Sequence, residues 1–349
     1  MTLGTERKPV MNDRVAGGER ARWRLASKYI PLLATASVVV TLYVSGCMSY
    51  RNFSSLRVLV DLFKDNAFLG VAAVGATFVI LSGGIDLSVG AVVAFTSIFI
   101  ADCVGKSGMH PLAAIGMALV LGALFGSVQG CIIHFYKQPA FLVTLAGMFF
   151  ARGMGFVIHP QAMGIKHSFY LKTIVEQLAI PLTARVSIPV TVICYGVVFV
   201  AALFIAHYTK FGRAVYAIGD DEQSARLMGL SVGWTKIMVY TLAGFVSALA
   251  GVVYTMYTQS GDPASCVGFE LDAIASVVIG GTLLSGGVGF VGGTAMGVLI
   301  LGLIQNLINF NGQLNTWWTK IAVGALVLVF IAIQNVVAMV SRRGSRVGG

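Results

Sequence analysis

Apolar runs follow one another from residue 30 almost to the C-terminus, separated by short polar joints. They fall near 30–47, 67–82, 88–101, 111–133, 140–158, 188–207, 236–257, 270–284, 288–308 and 318–340. About 20 apolar residues at 1.5 Å each cross a hydrocarbon core of about 30 Å. Lipid satisfies no backbone N–H or C=O, so a span is a helix or part of a closed barrel. These runs lack the alternation of barrel strands. The chain is 57% hydrophobic and 11% charged, against about 45–50% and 25% for a soluble domain. The expected fold is therefore all-α: one polytopic membrane bundle of about ten transmembrane helices over 30–340. A polar basic tail (1–29) precedes it and a short tail (341–349) follows.

The runs 67–82 and 88–101 are short, and whether they cross once or twice decides which loops share a side. Two crossings place the N-tail, 134–139, 208–236 and the C-tail together, and these hold fifteen of the 24 Lys and Arg residues. That basic bias marks the cytosolic face, so both termini and the 208–235 loop are expected there. Val44-Ser45-Gly46-Cys47 resembles a lipoprotein cleavage box. The tail before it is longer than in a signal peptide and many spans follow, so an uncleaved first span is the better reading.

Several motifs point to chemistry without its context. The net charge of +10 sits in tails and loops, as topology signals rather than a nucleic-acid footprint. Gly287-Val-Gly289-Phe-Val-Gly292 joins two membrane runs and follows no strand, so it is no dinucleotide site. Gly105-Lys106-Ser107 lacks the earlier glycine of a phosphate loop, that position being Ile100. The five cysteines and five histidines are scattered without ligand spacing, so neither a metal nor any cofactor is expected. No acid, base and nucleophile cluster suggests an enzyme.

Leu-Ser-Gly-Gly occurs at 81–84 and again at 284–287. Paired Gly-interrupted segments mark transport pathways; tight turns are the plainer reading. Asp86 follows the first copy, at a place where an unpaired charge is costly. It either caps the helix that starts near Leu87 or contacts a substrate, and both can hold. Arg152 lies inside an apolar run, where it either snorkels to the interface, lines a pathway or pairs with an acid. Gly122, Gly126 and Gly130, with Gly293 and Gly297, form small-residue faces suited to close helix packing. In the 208–235 loop, residues 221–228 fit a short helix with acids in the first turn, ended by Gly229. Such a helix, pressed into a partner's groove, suits a lever worked by another chain; a solvated connector is the alternative.

This loop, Thr77–Gly90 (TFVILSGGIDLSVG) and Leu271–Gly289 (LDAIASVVIGGTLLSGGVG) resemble the sugar permeases of bacterial ABC importers of the ribose, xylose and arabinose type. The resemblance runs over roughly residues 30–335. Asp65–Gly70 (DNAFLG), Pro139–Phe150 (PAFLVTLAGMFF), Tyr257–Gly261 (YTQSG) and Thr316–Ile321 (TWWTKI) are similar to the galactofuranose-importing branch. The resemblance implies a multi-pass inner-membrane subunit that translocates a monosaccharide, galactofuranose or a related sugar. It also implies a cytosolic ATP-binding subunit, a periplasmic sugar-binding protein and a second permease subunit. A coupling helix is implied near 220–229, with Gly219, Asp220, Asp221, Glu222, Ala225, Arg226 and Gly229. Family members often carry Gly-Asn before this helix, where this chain has Asp220-Asp221; the partner surface is expected to be more basic. Sugars need hydrogen bonds with apolar or aromatic contact, and the pathway candidates are Asn66, Phe68, Ser82, Asp86, Ser88 and Arg152. Thr77, Thr96, Gln129, Thr144, Gln305 and Asn306 are further polar groups within the runs. The competing reading is a self-sufficient secondary transporter, proton- or ion-coupled.

Overall fold

A computed structural model describes residues 32–183, 186–315 and 317–346, with side chains up to residue 334. The basic tail 1–29 and the last residues of the tail 341–349 lie outside the described residues.

The chain is a bundle of helices: α1 (Leu32–Ser49), α2 (Leu56–Asp65), α3 (Ala67–Leu81), α4 (Val89–Gly105), α5 (Pro111–Phe135), α6 (Ala140–Ile158), α7 (Val190–Tyr208), α8 (Lys210–Asp220), α9 (Glu222–Leu227), α10 (Val232–Thr258), α11 (Phe269–Ile279), α12 (Val291–Asn311) and α13 (Trp317–Arg346). Seven of the described helices are long and apolar enough to cross a membrane, eight if the α2–α3 pair, bent by 50°, is one span. The expected runs 67–82 and 270–284 become the shorter helices α3 and α11, each ended by a glycine turn, while 88–101 runs on to Gly105 as α4. The box around Cys47 lies within α1, which continues to Ser49.

The helix α3 is apolar all round, and every residue from Leu69 to Leu81 is buried. A helix with no polar face belongs at the centre, and α3 is packed on α7, α10, α11 and α12. The outer helices instead show apolar side chains outward, such as Leu124 and Val128 on α5, Phe149 and Phe150 on α6, and Val200 and Phe204 on α7. These faces suit lipid. The expected small-residue faces form: α5 crosses α10 where a Cβ at Gly126 would overlap the Tyr240 carbonyl. On α12, a Cβ at Gly297 would overlap the Ser276 carbonyl of α11. Without side chains at these crossings the backbones approach closely.

Two small sheets and a π-helical turn (Phe169–Gln177) lie outside the expected pattern. The strand β1 (Met163–Gly164) pairs antiparallel with β4 (Ser260–Gly261). The strands β2 (Ile180–Thr183) and β3 (Val186–Ile188) form an antiparallel hairpin. Runs of two to four residues carry too little periodicity to be read from sequence.

The 208–235 stretch holds two helices rather than one. The first, α8, buries Gly212, Val215 and Ile218, three apart on one face, and its cap Thr209 accepts from the Gly212 N–H. The short helix expected over 221–228 is α9.

Candidate functional site

The site is built around the break between α3 and α4. The helix α3 ends in a glycine turn: Gly83, at φ +80°, donates to the Ile80 carbonyl, and Gly84 to that of Val79. Glycine takes this left-handed conformation without strain. The helix α11 ends the same way at Gly281, φ +90°, with Gly281 donating to Val278 and Thr282 to Val277. The second Leu-Ser-Gly-Gly is thus no helix end. It forms a separate turn in which Leu283 donates to Val288 and Gly286 to Leu283.

The two copies nevertheless meet. Gly287 N–H donates to the Leu81 carbonyl at 3.0 Å. The end of α8 packs against both, since a Cβ at Gly219 would overlap the Leu81 carbonyl oxygen and one at Gly287 would lie 2.6 Å from Asp220 Cα. Both copies are tight turns, as the plainer sequence reading has it, and together with Gly219 and Asp220 they make a three-way backbone joint. Ser82 sits in this joint, buried, its hydroxyl donating back to Val79.

Between the joint and α4 the chain is extended and polar. Asp86 is 4% exposed. Its Oδ1 accepts from Ser88 N–H at 2.8 Å and from Ser88 Oγ at 2.6 Å. Asp86 therefore braces Ser88, which stands at the N-cap of α4, and does not itself cap the helix as expected. Thr144 on α6 straps the stretch: its Oγ1 accepts from Leu87 N–H and donates to the Ile85 carbonyl. Gln129 Oε1 accepts from Ser88 Oγ at 3.4 Å.

The remaining pathway candidates, Asn66, Phe68 and Arg152, have other partners. Asn66 marks the bend between α2 and α3 and donates to the Leu62 carbonyl. Phe68 stacks on Phe269 with centroids 5.5 Å apart, and Tyr254 and Tyr257 lie within 6 Å. Arg152 has no acidic partner within ion-pair distance among the described residues. Its guanidinium donates to the carbonyls of Pro263, Ser265 and Cys266. Glu270 Oε2 is buried against Gly90 without a hydrogen-bond partner among the described residues. Sequence patterning makes neither Glu270 nor Tyr240 a site candidate. A tyrosine inside an apolar run was the available signal, since its hydroxyl needs a partner in lipid.

The helix α9 is defined at both ends. Asp221 Oδ1 accepts from the N–H groups of Gln223 and Ser224. At the other end Gly229, φ +81°, donates to Arg226, and Leu230 to Ala225. Ala225 is buried with Ile218 and Val232. Glu222 pairs with Lys236 at 2.5 Å and with Arg226 at 3.2 Å. The bonds from Ser224 and Gln223 hold the Asp221 carboxyl below its usual range. The hydrogen bond from Lys236 does the same for Glu222. Leu227 and Met228 stand 83% and 69% exposed beside them.

Residues 58–331 match the family described as branched-chain amino acid transport system / permease component. The chain belongs to that permease family. It is 49% identical to the inner membrane ABC transporter permease protein YjfF of Escherichia coli (strain K12), over 89% of this chain and 93% of that protein. It is 35% identical to the fructose import permease protein FruG of Bifidobacterium longum, over 91% of this chain and 94% of that one. The ribose import permease protein RbsC of E. coli (strain K12) is also 35% identical, over 93% and 99%. The permease is a multi-pass protein of the inner membrane.

Proposed function

We propose that this permease is the membrane-spanning subunit of an ABC importer that carries a monosaccharide inward, galactofuranose or a related sugar. A separate cytosolic ATP-binding subunit drives it, a periplasmic sugar-binding protein delivers the sugar, and a second permease subunit completes the channel. The names of the ribose and fructose import permeases support the sugar class. The 208–235 stretch faces the cytosol, with α9 seated on the ATPase through Glu222, Arg226, Leu227 and Met228. One observation carries the coupling: the end of α8 abuts both Leu-Ser-Gly-Gly turns. A push on α9 therefore reaches α3, the break to α4 and the α11–α12 turn at one joint. The sugar passes along Asn66 and Phe68, then beside Asp86 and Ser88, and leaves past Ser82. Arg152 holds the 263–266 loop over that route.

Reconstitution tests this reading. Proteoliposomes holding the permease with its ATPase and binding protein are expected to take up labelled sugar only with ATP and to be indifferent to a protonophore. Uptake that collapses with the proton gradient at constant ATP would overturn it.

A further inference from the structure

Among the buried donors without a protein partner among the described residues are Tyr240 Oη on α10 and Gln129 Nε2 on α5. Tyr240 is 2% exposed and Gln129 4%. A buried donor left unpaired costs about 1–3 kcal/mol. Neither residue can easily turn elsewhere, because α5 and α10 touch backbone to backbone here: Gly126 meets the Tyr240 carbonyl, and Gly130 lies against Ile237. Both donors border one polar stretch. Tyr240 Oη lies where a Cβ at Gly84 would overlap it. Gln129 reaches the stretch with Oε1, 3.4 Å from Ser88 Oγ, while its Nε2 lies where a Cβ at Gly147 of α6 would overlap it.

The chemistry of this set is selective. A metal ion or ammonium would face the N–H donors of Gln129, which have no lone pair to offer. An anion would face the Asp86 carboxylate. A hydroxyl suits both, since it accepts from a phenol or amide and donates to a carboxylate.

We propose that Tyr240 and Gln129 are specificity-determining donors of a hydroxyl-binding station beside Asp86, which takes one hydroxyl of the passing sugar. This rests on the importer reading above and names the groups that would recognise the cargo there.

The experiment uses the full importer complex in proteoliposomes. Labelled galactose, ribose and fructose are compared with a deoxy analogue of each. The binding protein's own selectivity is common to every variant, so a changed ratio reports on the permease. Tyr240→Phe is expected to melt no lower than the unaltered protein, because it deletes an unpaired hydroxyl. It is expected to import the sugar about tenfold more slowly, the worth of one hydrogen bond of about 1.4 kcal/mol, and to distinguish sugar from deoxy analogue less well. Gln129→Leu is expected to shift the ratio in the same direction. A lower melting temperature with uptake reduced in proportion and the ratio unchanged would overturn the proposal, assigning the hydroxyl to an ordered water. Unchanged uptake and ratio in both variants would overturn it as well. Failure of the unaltered complex to import any of the three sugars with ATP would instead sink the importer reading, and the station with it.

Discussion

Arg152 holds its charge in an apolar bundle by spending its donors on carbonyls. Three backbone oxygens of the 263–266 loop converge on one planar guanidinium, a fork that lysine cannot reproduce. Arg152→Lys is expected to cost about 2 kcal/mol of stability, from charged hydrogen bonds lost or left unmade. A thermal melt of the purified protein checks this, and an unchanged melting temperature would remove Arg152 from the frame of the loop. Asp86 does different work, anchoring Ser88 at the start of α4. Asp86→Ala is expected to lower transport or yield, measured as uptake per permease in the membrane. If both stay at the unaltered level, Asp86 has no part in the pathway. The sequence marked each residue by its charge. It did not mark the partner, because the carbonyls of residues 263–266 lie more than a hundred positions away.

At the scale of elements, α9 is a six-residue helix, too short to be stable by itself. Its caps and its contact with α8 and α10 define it. Gly229→Pro removes the N–H that closes its end. It is expected to abolish stimulation of the ATPase by substrate-loaded binding protein while insertion stays normal; intact stimulation would contradict the coupling role. Acid acts on the same helix. Asp221 and Glu222 both hold their carboxyls below the ordinary range. Their contribution is therefore fully present above the ordinary carboxyl values of about 4. It is lost as pH falls through the depressed ones. Hydrogen exchange at residues 222–228 is expected to rise as pH drops below about 4, after correction for the intrinsic pH dependence of exchange. This helix was legible because its start and stop signals are local in sequence. The helix α8 was missed because its register shows only once Val215 and Ile218 have something to pack on.

Over the whole molecule, the joint of Leu81, Gly219, Gly286 and Gly287 ties segments from three distant parts of the chain. Gly219→Val forces side-chain atoms into the Leu81 carbonyl. It is expected to leave the complex assembled but reduce ATP-driven uptake by more than tenfold, an order-of-magnitude figure for parting a tightly packed contact. Co-purification with the ATPase, measured beside uptake, separates uncoupling from failure to assemble. Sidedness is checked with single cysteines in 208–235 of a cysteine-free background in intact cells. A reagent unable to enter the cell is expected to leave them unmodified, and ready labelling would reverse the topology.

The sequence by itself determined the solvent, the helical class, the position of most spans and the two ends of α9. Hydrophobicity, periodicity and capping act over a few neighbouring residues, and all are written locally. Only the tertiary structure decided that the two Leu-Ser-Gly-Gly copies touch, that one ends a helix while the other is a free turn, and that α8 rests on both. It alone set Tyr240 and Gln129 on the same polar stretch. These are contacts between residues far apart in the chain, and they arise where bare glycine backbones let α5 reach α10 and α8 reach α3.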